Sequence, residues 1–251
     1  KQNKMVTFRK MNIEIVQGDI TKIKADAIVN PANASLLPGS GVSGAIHFAA
    51  GPELAAECKE IIKKRGKELA IGETVLTSAY NLEKNGVKMI IHTVTPKIYR
   101  DMMSGLSDCY ENCLEFAKKE GCQSIAFPAL STGAGGLDME KSARHAKRML
   151  EINNAIIERV ILVLSNKQDK ELYTKIFEGN DMIDSAGFCP ACLSPISDVL
   201  SSNVDGFFCS EKCAENFSWF SKKNQNKIND LLSAGLLAQK NEKRRKLLKN
   251  K

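Results

Sequence analysis

Two amides, two glycine-spaced loops and two pairs of cysteines are the parts of this sequence that can do chemistry. Asn30 and Asn33 follow the apolar triplet Ala27-Ile28-Val29. The string Leu37-Pro38-Gly39-Ser40-Gly41-Val42-Ser43-Gly44 then leads into a helix expected from about Ser43. A strand that ends in a glycine-rich loop and opens a helix is built to hold phosphate. Glycine lets successive backbone N–H groups turn into one concavity, and the helix N-terminus adds partial positive charge. Ser131-Thr132-Gly133-Ala134-Gly135-Gly136 repeats the arrangement after a second apolar run, with two hydroxyls added. Read alone, each loop is equally a tight strand-to-helix turn, and the asparagines beside Pro31 are equally turn residues. Neither loop carries a Walker or dinucleotide fingerprint, which argues against an ATPase or a dehydrogenase.

The elements that must position these loops follow from hydrophobic periodicity. Strands are expected at Met11 to Val16, Ala27 to Asn30, Thr74 to Ala79, Val87 to Val94, Ser124 to Leu130 and Arg159 to Leu164. Helices are expected from Ser43 to the break at Gly51-Pro52, then at Glu53 to Arg65, Asp108 to Glu120, Asp138 to Ile152 and Lys170 to Phe177. Alternating strands and helices imply a three-layer α/β domain with a mixed, largely parallel sheet. Ligands of such sheets sit outside the carboxyl ends of the strands, so both loops can share one edge.

With those residues in place, the sequence from Val29 to His47, continuing through Gly51-Pro52-Glu53-Leu54, resembles the signature of the macrodomain family of ADP-ribose-binding modules. It is most similar to the MacroD-like hydrolase branch. The resemblance implies that Asp19 and the backbone of Ile20 contact adenine, although Gly18-Asp19 by itself reads as a turn with a helix cap. It implies that Asn30 and Asn33 lie near the distal ribose, and that Gly39, Ser40, Gly41 and Val42 form the first diphosphate loop. Ser131, Thr132, Gly133, Ala134, Gly135 and Gly136 would form the second. Asn166 falls where members often place an adenine-lining aromatic, so stacking is expected to be weaker here. Members of the hydrolase branch usually carry an aspartate where this chain has Ser43. A serine hydroxyl is not a general base near neutral pH without a partner. The resemblance therefore leaves hydrolysis to a water held between loop backbone and the ligand's own diphosphate. Asn33 would orient the ribose, and Gly41, Val42 and Gly133 would crowd that water. His47, Asp138, His92 and His145 are read as structural, with Asp138 a helix N-cap.

Cys189-Pro190-Ala191-Cys192 and Cys209-Ser210-Glu211-Lys212-Cys213, with 16 residues between the pairs, have the spacing of a four-thiolate zinc site. The arrangement looks like a treble-clef-type finger, which would bind structural zinc and leave no open position for catalysis. A redox pair or unpaired thiols are the alternatives. Cys58, Cys109, Cys113 and Cys122 are read as buried thiols. The expected organisation is a macrodomain over residues 1–180, a linker over 181–187, the zinc-finger-like module and a helix over 188–239, and a basic tail over 240–251. That tail holds seven basic residues against Glu242, within a formal charge of +7 for the 251 residues.

No apolar run approaches the roughly 20 residues of a spanning helix. Together with a basic start lacking a signal-peptide core, this gives the expectation of a cytoplasmic protein, nuclear if eukaryotic, without a membrane partner. The functional expectation is ADP-ribose binding with removal of mono-ADP-ribosyl groups from a modified protein. A non-catalytic reader of ADP-ribose is the first alternative. The second is a macrodomain directed to modified nucleic acid by the finger and tail.

Overall fold

Burial on both faces of the sheet explains why inner strands such as Ser124–Pro128 and Arg159–Leu164 read as near-continuous apolar runs. In the computed structural model, six strands lie in the order β1-β6-β5-β2-β4-β3. They are β1 (Asn12–Gln17), β2 (Ala27–Ala32), β3 (Thr74–Ser78), β4 (Met89–Val94), β5 (Ser124–Pro128) and β6 (Arg159–Leu164). All neighbours pair in parallel except β3, which runs antiparallel to β4 at one edge. The structure describes residues 11–97, 102–154 and 156–179; two units divide the chain, Lys1–Phe177 and Glu178–Lys251.

Strand alternation sorts the core into two layers. Ala27, Val29 and Ile91 point to the side covered by α3 (Met102–Lys119), α4 (Met139–Ile152) and α5 (Lys167–Glu178). Ile28, Ala32, Ile90 and Val94 point to the side covered by α1 (Gly41–Ala50) and α2 (Pro52–Arg65). Cys109, Cys113 and Cys122 pack in the first layer and Cys58 in the second, as buried free thiols. Among the described residues, no helix is long and apolar enough to cross a membrane.

The largest departures from the periodicity are at α3, at two 3-10 turns and at the end of β2. Helix α3 begins at Met102, six residues before the expected start at Asp108. Its first turns contain residues of low helix propensity, but Gly105 lets the helix pack closely against Ile71 and Pro96, where a β-carbon would lie 2.5 Å from Ile71 Cγ2. Two 3-10 turns, Ile20–Lys22 and Tyr80–Asn85, are too short to show a period. Strand β2 continues past Asn30 through Pro31, although it lies inside the sheet. Its pairing with β5 covers only Ala27↔Ile125 and Ile28↔Ala126, while its pairing with β4 runs on to Ala32↔Val94. With β5 no longer paired beside it, a residue lacking an N–H is tolerated.

The opposite, amino-terminal edge is closely bonded. Asp26 Oδ2 accepts from the N–H groups of Gln123 and Ser124, both at 2.9 Å, and from Ser124 Oγ at 3.0 Å. Lys88 Nζ lies 2.8 Å from Asp26 Oδ1. Burial alone would raise this carboxyl's pKa, but those donors outweigh it and hold the group at about 2. Arg159 grips Glu14 with two bonds of 2.7 and 2.8 Å and donates a third to Lys24 O.

Candidate functional site

Four parallel strands end at the same edge, and each releases one of the segments singled out in the sequence. Following the strand order, Asp19 comes after β1, Asn166 after β6, Ser131–Gly136 after β5 and Asn33–Ser43 after β2. At about 4.8 Å per strand interval, this row spans roughly 14 Å. The place where β2 and β5 stop pairing falls between the two glycine loops, at the strand ends where sheets of this kind take their ligands.

The first loop is fastened before it reaches its helix. Asn33 Nδ2 donates to the Leu37 carbonyl at 2.7 Å, and Asn33 Oδ1 accepts from the Leu37 N–H at 3.0 Å. Leu36, between them, takes φ +56° and buries its side chain at 1% exposure in the α1–α2 layer. A non-glycine residue held there costs about 1–2 kcal/mol, offset here by the burial and by the Asn33 clamp. Residues Gly39, Ser40 and Gly41 are exposed. Ser40 stands at the N-cap of α1 without a side-chain cap bond, so side chains leave the first N–H groups of the helix open to an anion. Gly41 has φ +58° and nothing within 4 Å of where a β-carbon would lie, whereas at Gly44 a β-carbon would strike the Gly39 carbonyl at 2.5 Å. One glycine allows the turn; the other lets the loop fold back on its helix.

The second loop is fastened by its backbone. The Leu137 N–H donates to Ser131 O at 2.8 Å and the Gly136 N–H to Gly133 O at 2.9 Å. Below it, Ser142 Oγ donates to Leu130 O at 3.1 Å. Ser131 itself has φ +65° and is buried, and its hydroxyl has no partner. A side chain at Gly135 would collide with the Ser131 backbone, while Gly133 faces open space. Ala134 is exposed between them. The sequence-based expectation gave both hydroxyls to a ligand, but Thr132 Oγ1 donates to Ala129 O at 3.0 Å. Only the Ser131 hydroxyl is left unengaged. Asp138 caps α4 through a 3.1 Å bond from the Lys141 N–H, as its place ahead of that helix predicts.

At the other end of the row, Asp19 Oδ1 accepts from the N–H and hydroxyl of Thr21, at 3.0 and 2.8 Å, capping the turn that contains Ile20. Lys22 is 3.9 Å from Oδ2 on a half-exposed carboxylate. The cap uses one oxygen and leaves the other for a ligand. Asn166 accepts from the Asp169 N–H at 2.8 Å and donates to its carboxylate at 2.6 Å, so both ends of its amide hold the start of α5.

A group that periodicity did not bring together lies under the first loop. Asn30 and His92 are direct partners in the β2–β4 register, and Thr77 sits diagonally across on β3. Asn30 Nδ2 meets His92 Nδ1 at 2.9 Å, and His92 Nε2 meets Thr77 Oγ1 at 2.8 Å. The amide nitrogen donates, so His92 Nδ1 carries the lone pair and Nε2 the proton given to Thr77. Burial first, and the neighbouring His47 second, push His92 down to about 3, so the ring is neutral. His47 on α1 stands above it, with ring centroids 6.2 Å apart. Burial lowers the pKa of His47 too, and neither of its ring nitrogens has a partner. Ser43, one turn earlier on α1, is buried with its hydroxyl unbonded, so no hydrogen bond links Ser43 to His47. The sequence placed Asn30 near the ribose; the structure places it in this buried polar ladder with Oδ1 unengaged. His145 is also buried, 3.2 Å from Ser107 Oγ and on the other layer. The cysteines at 189, 192, 209 and 213 lie outside the described residues.

A mixed α/β sheet with two fastened glycine loops at its carboxyl edge is an arrangement that can hold an anion. Comparison with known proteins makes the class specific. Residues 29–146 match the Macro domain family. An O-acetyl-ADP-ribose deacetylase of Escherichia fergusonii is 39% identical over 174 residues, covering 66% of this chain and 96% of that protein. One from Klebsiella pneumoniae is 41% identical over 169 residues, covering 65% and 94%. Among solved structures, the Oceanobacillus iheyensis macrodomain with ADP is 38% identical with a TM-score of 0.64, covering 68% of this chain and 93% of that one. The Trypanosoma brucei macrodomain in complex with ADP-ribose is 33% identical with a TM-score of 0.58, covering 65% and 68%. The chain belongs to the macrodomain family.

Proposed function

We propose that this macrodomain binds ADP-ribose along the carboxyl edge of its sheet and hydrolyses bonds to the distal ribose. The substrate class is mono-ADP-ribosylated protein, with the O-acetyl ester of ADP-ribose as a small-molecule counterpart suggested by the names of its relatives. The observation that carries the reading is that two fastened loops, flanking the place where β2 and β5 stop pairing, present exposed, glycine-spaced backbone. In this reading the diphosphate lies between Gly39–Val42 and Ser131–Gly136, stabilised by backbone N–H groups and the start of α1. Adenine lies at the β1–β6 end. There the unused oxygen of Asp19 accepts from the exocyclic amine, beside the Ile20 backbone and Asn166. The distal ribose lies beside Asn33, and Gly41, Val42 and Gly133 hold a water against it. Ser43 replaces a carboxylate at the reacting end, so the attacking water would be oriented by backbone and ligand diphosphate rather than deprotonated by a side chain.

Release of ADP-ribose from a mono-ADP-ribosylated protein, and of acetate from O-acetyl-ADP-ribose, tests the hydrolase. Calorimetry with free ADP-ribose runs alongside. Asn33→Ala unclamps the first loop, and turnover should fall while the fold persists. Asp19→Asn keeps an oxygen for the Thr21 cap but puts an amide where adenine needs an acceptor. Affinity should fall by about 1–3 kcal/mol with little change in unfolding temperature. Equal affinity would remove Asp19 from the adenine end.

A second reading, a reader that binds without turnover, is favoured by one observation: the Ser43 hydroxyl is buried with no basic partner. Tight binding with no release from either substrate would decide for it. For the C-terminal unit we propose a four-thiolate zinc finger on Cys189, Cys192, Cys209 and Cys213 that selects the modified target. Modified nucleic acid is an outcome to test through the basic tail, by salt-dependent binding of the full chain against a chain ending at residue 239.

A further inference from the structure

His47, Cys58 and His92 converge from α1, α2 and β4, and one ligand atom from each lies within 4.8 Å of the other two. All three are buried, at 7%, 1% and 0% exposure. We propose that they form a metal site, a two-histidine, one-thiolate centre for a soft or borderline transition-metal ion, zinc(II) or copper(I). The site lies between the helices and the sheet, is separate from the four C-terminal cysteines, and does not rest on the hydrolase reading.

The strongest support comes from His47. Both of its ring nitrogens are buried without any hydrogen-bond partner, an expense that proteins rarely leave standing and that coordination would remove. The donor set suits a borderline or soft ion: two neutral imidazoles and one thiol sulfur, with no carboxylate in the cluster. A surrounding shell is present as well. His92 is held by Asn30 on one nitrogen and Thr77 on the other. Coordination through Nδ1, which carries the lone pair, replaces the Asn30 bond and leaves the Nε2 bond to Thr77 to fix the ring plane. Asn30 Oδ1, unengaged in the same ladder, is a neutral oxygen available to a fourth position.

Charge separates the two ions. As the metal–sulfur bond forms, the Cys58 thiol proton leaves to solvent and a thiolate remains. Copper(I) with one thiolate is neutral, which a dry site favours. Zinc(II) would leave one positive charge, to be met by a hydroxide that takes the fourth position in place of Asn30 Oδ1, the proton of its parent water leaving to solvent. In either case the ion ties α1, which follows the first loop, to α2 and to the sheet.

The test uses the full chain loaded separately with zinc(II) and, under reducing conditions, with copper(I), then freed of loose metal. Metal per chain is measured for wild type, Cys58→Ala and His47→Gln, none of which alters the C-terminal cysteines. With one of the two ions, wild type should retain about one equivalent more than either variant. Loading should also raise the unfolding temperature of wild type but not of the variants. Equal metal content in wild type and both folded variants overturns the proposal. Cobalt(II) gives a readout that does not depend on those variants folding. Where zinc(II) is the ion retained, thiolate-to-cobalt absorption should persist when Cys189, Cys192, Cys209 and Cys213 are all changed to serine, and its complete loss there overturns the proposal equally.

Discussion

The two edges of the sheet are made from the same strands and treat polar groups in opposite ways. At the amino edge, Asp26 gathers bonds from Gln123, Ser124 and Lys88, and Glu14 is gripped twice by Arg159. At the carboxyl edge the Ser131 hydroxyl is buried and unbonded, Leu36 and Ser131 hold positive φ, and glycine backbone is exposed. The contrast separates stability from function. An edge with its polar groups bonded lowers the energy of the fold, while an edge with unmet donors and stored backbone strain is kept ready for a ligand.

The sharpest way to break that comparison is Gly135→Ala. Its β-carbon meets the Ser131 backbone, so the second loop must shift, at a cost of about 1–3 kcal/mol. ADP-ribose affinity by calorimetry should fall at least about tenfold, the equivalent of 1.4 kcal/mol. Gly133→Ala meets nothing in the free protein. It should leave the unfolding temperature unchanged and weaken binding only by obstructing the ligand. If both substitutions behave alike, the loop is not shaped for a diphosphate.

Next in size is the amino edge. Asp26→Asn should lower stability to denaturant by about 1.5–3 kcal/mol, the range for hydrogen bonds to a charged group, and leave ADP-ribose affinity unchanged. A loss of affinity would mean that the two edges are coupled through the sheet. The same carboxyl predicts an acid response. Its pKa is held at about 2 in the fold, below the ordinary 3.8. Its stabilising effect is therefore present above the ordinary value and is lost as pH falls from about 4 toward about 2. Stability measured across that window should decline more steeply in wild type than in Asp26→Asn. Smallest of all, Asn166→Ala removes the cap on α5 and should cost about 0.5–1 kcal/mol of stability. A simultaneous drop in affinity would place that side chain against adenine.

Much of the site was legible because its signals are local. Gly39 to Gly44 and Ser131 to Gly136 declare turns by composition, and Asp138 declares a helix start. The parallel sheet follows from alternating runs, and a parallel sheet brings loops at the ends of its strands to one edge. Asn33 illustrates where composition stopped: an asparagine beside a loop fits a ligand contact and a loop clamp alike, and its bonds to Leu37 appear only in the structure. Thr132 and Asn166 are of the same kind, because a polar side chain's partner is chosen by geometry.

By itself, then, the sequence determined the core of each strand, longer helix and glycine turn, and the family to which their order belongs, since each depends on neighbours a few residues apart. The tertiary structure alone decided where pairing between β2 and β5 stops, which glycines face a wall and which face space, and that His47, Cys58 and His92 meet. Those outcomes depend on contacts between residues far apart in the chain, and no local period or propensity carries that information.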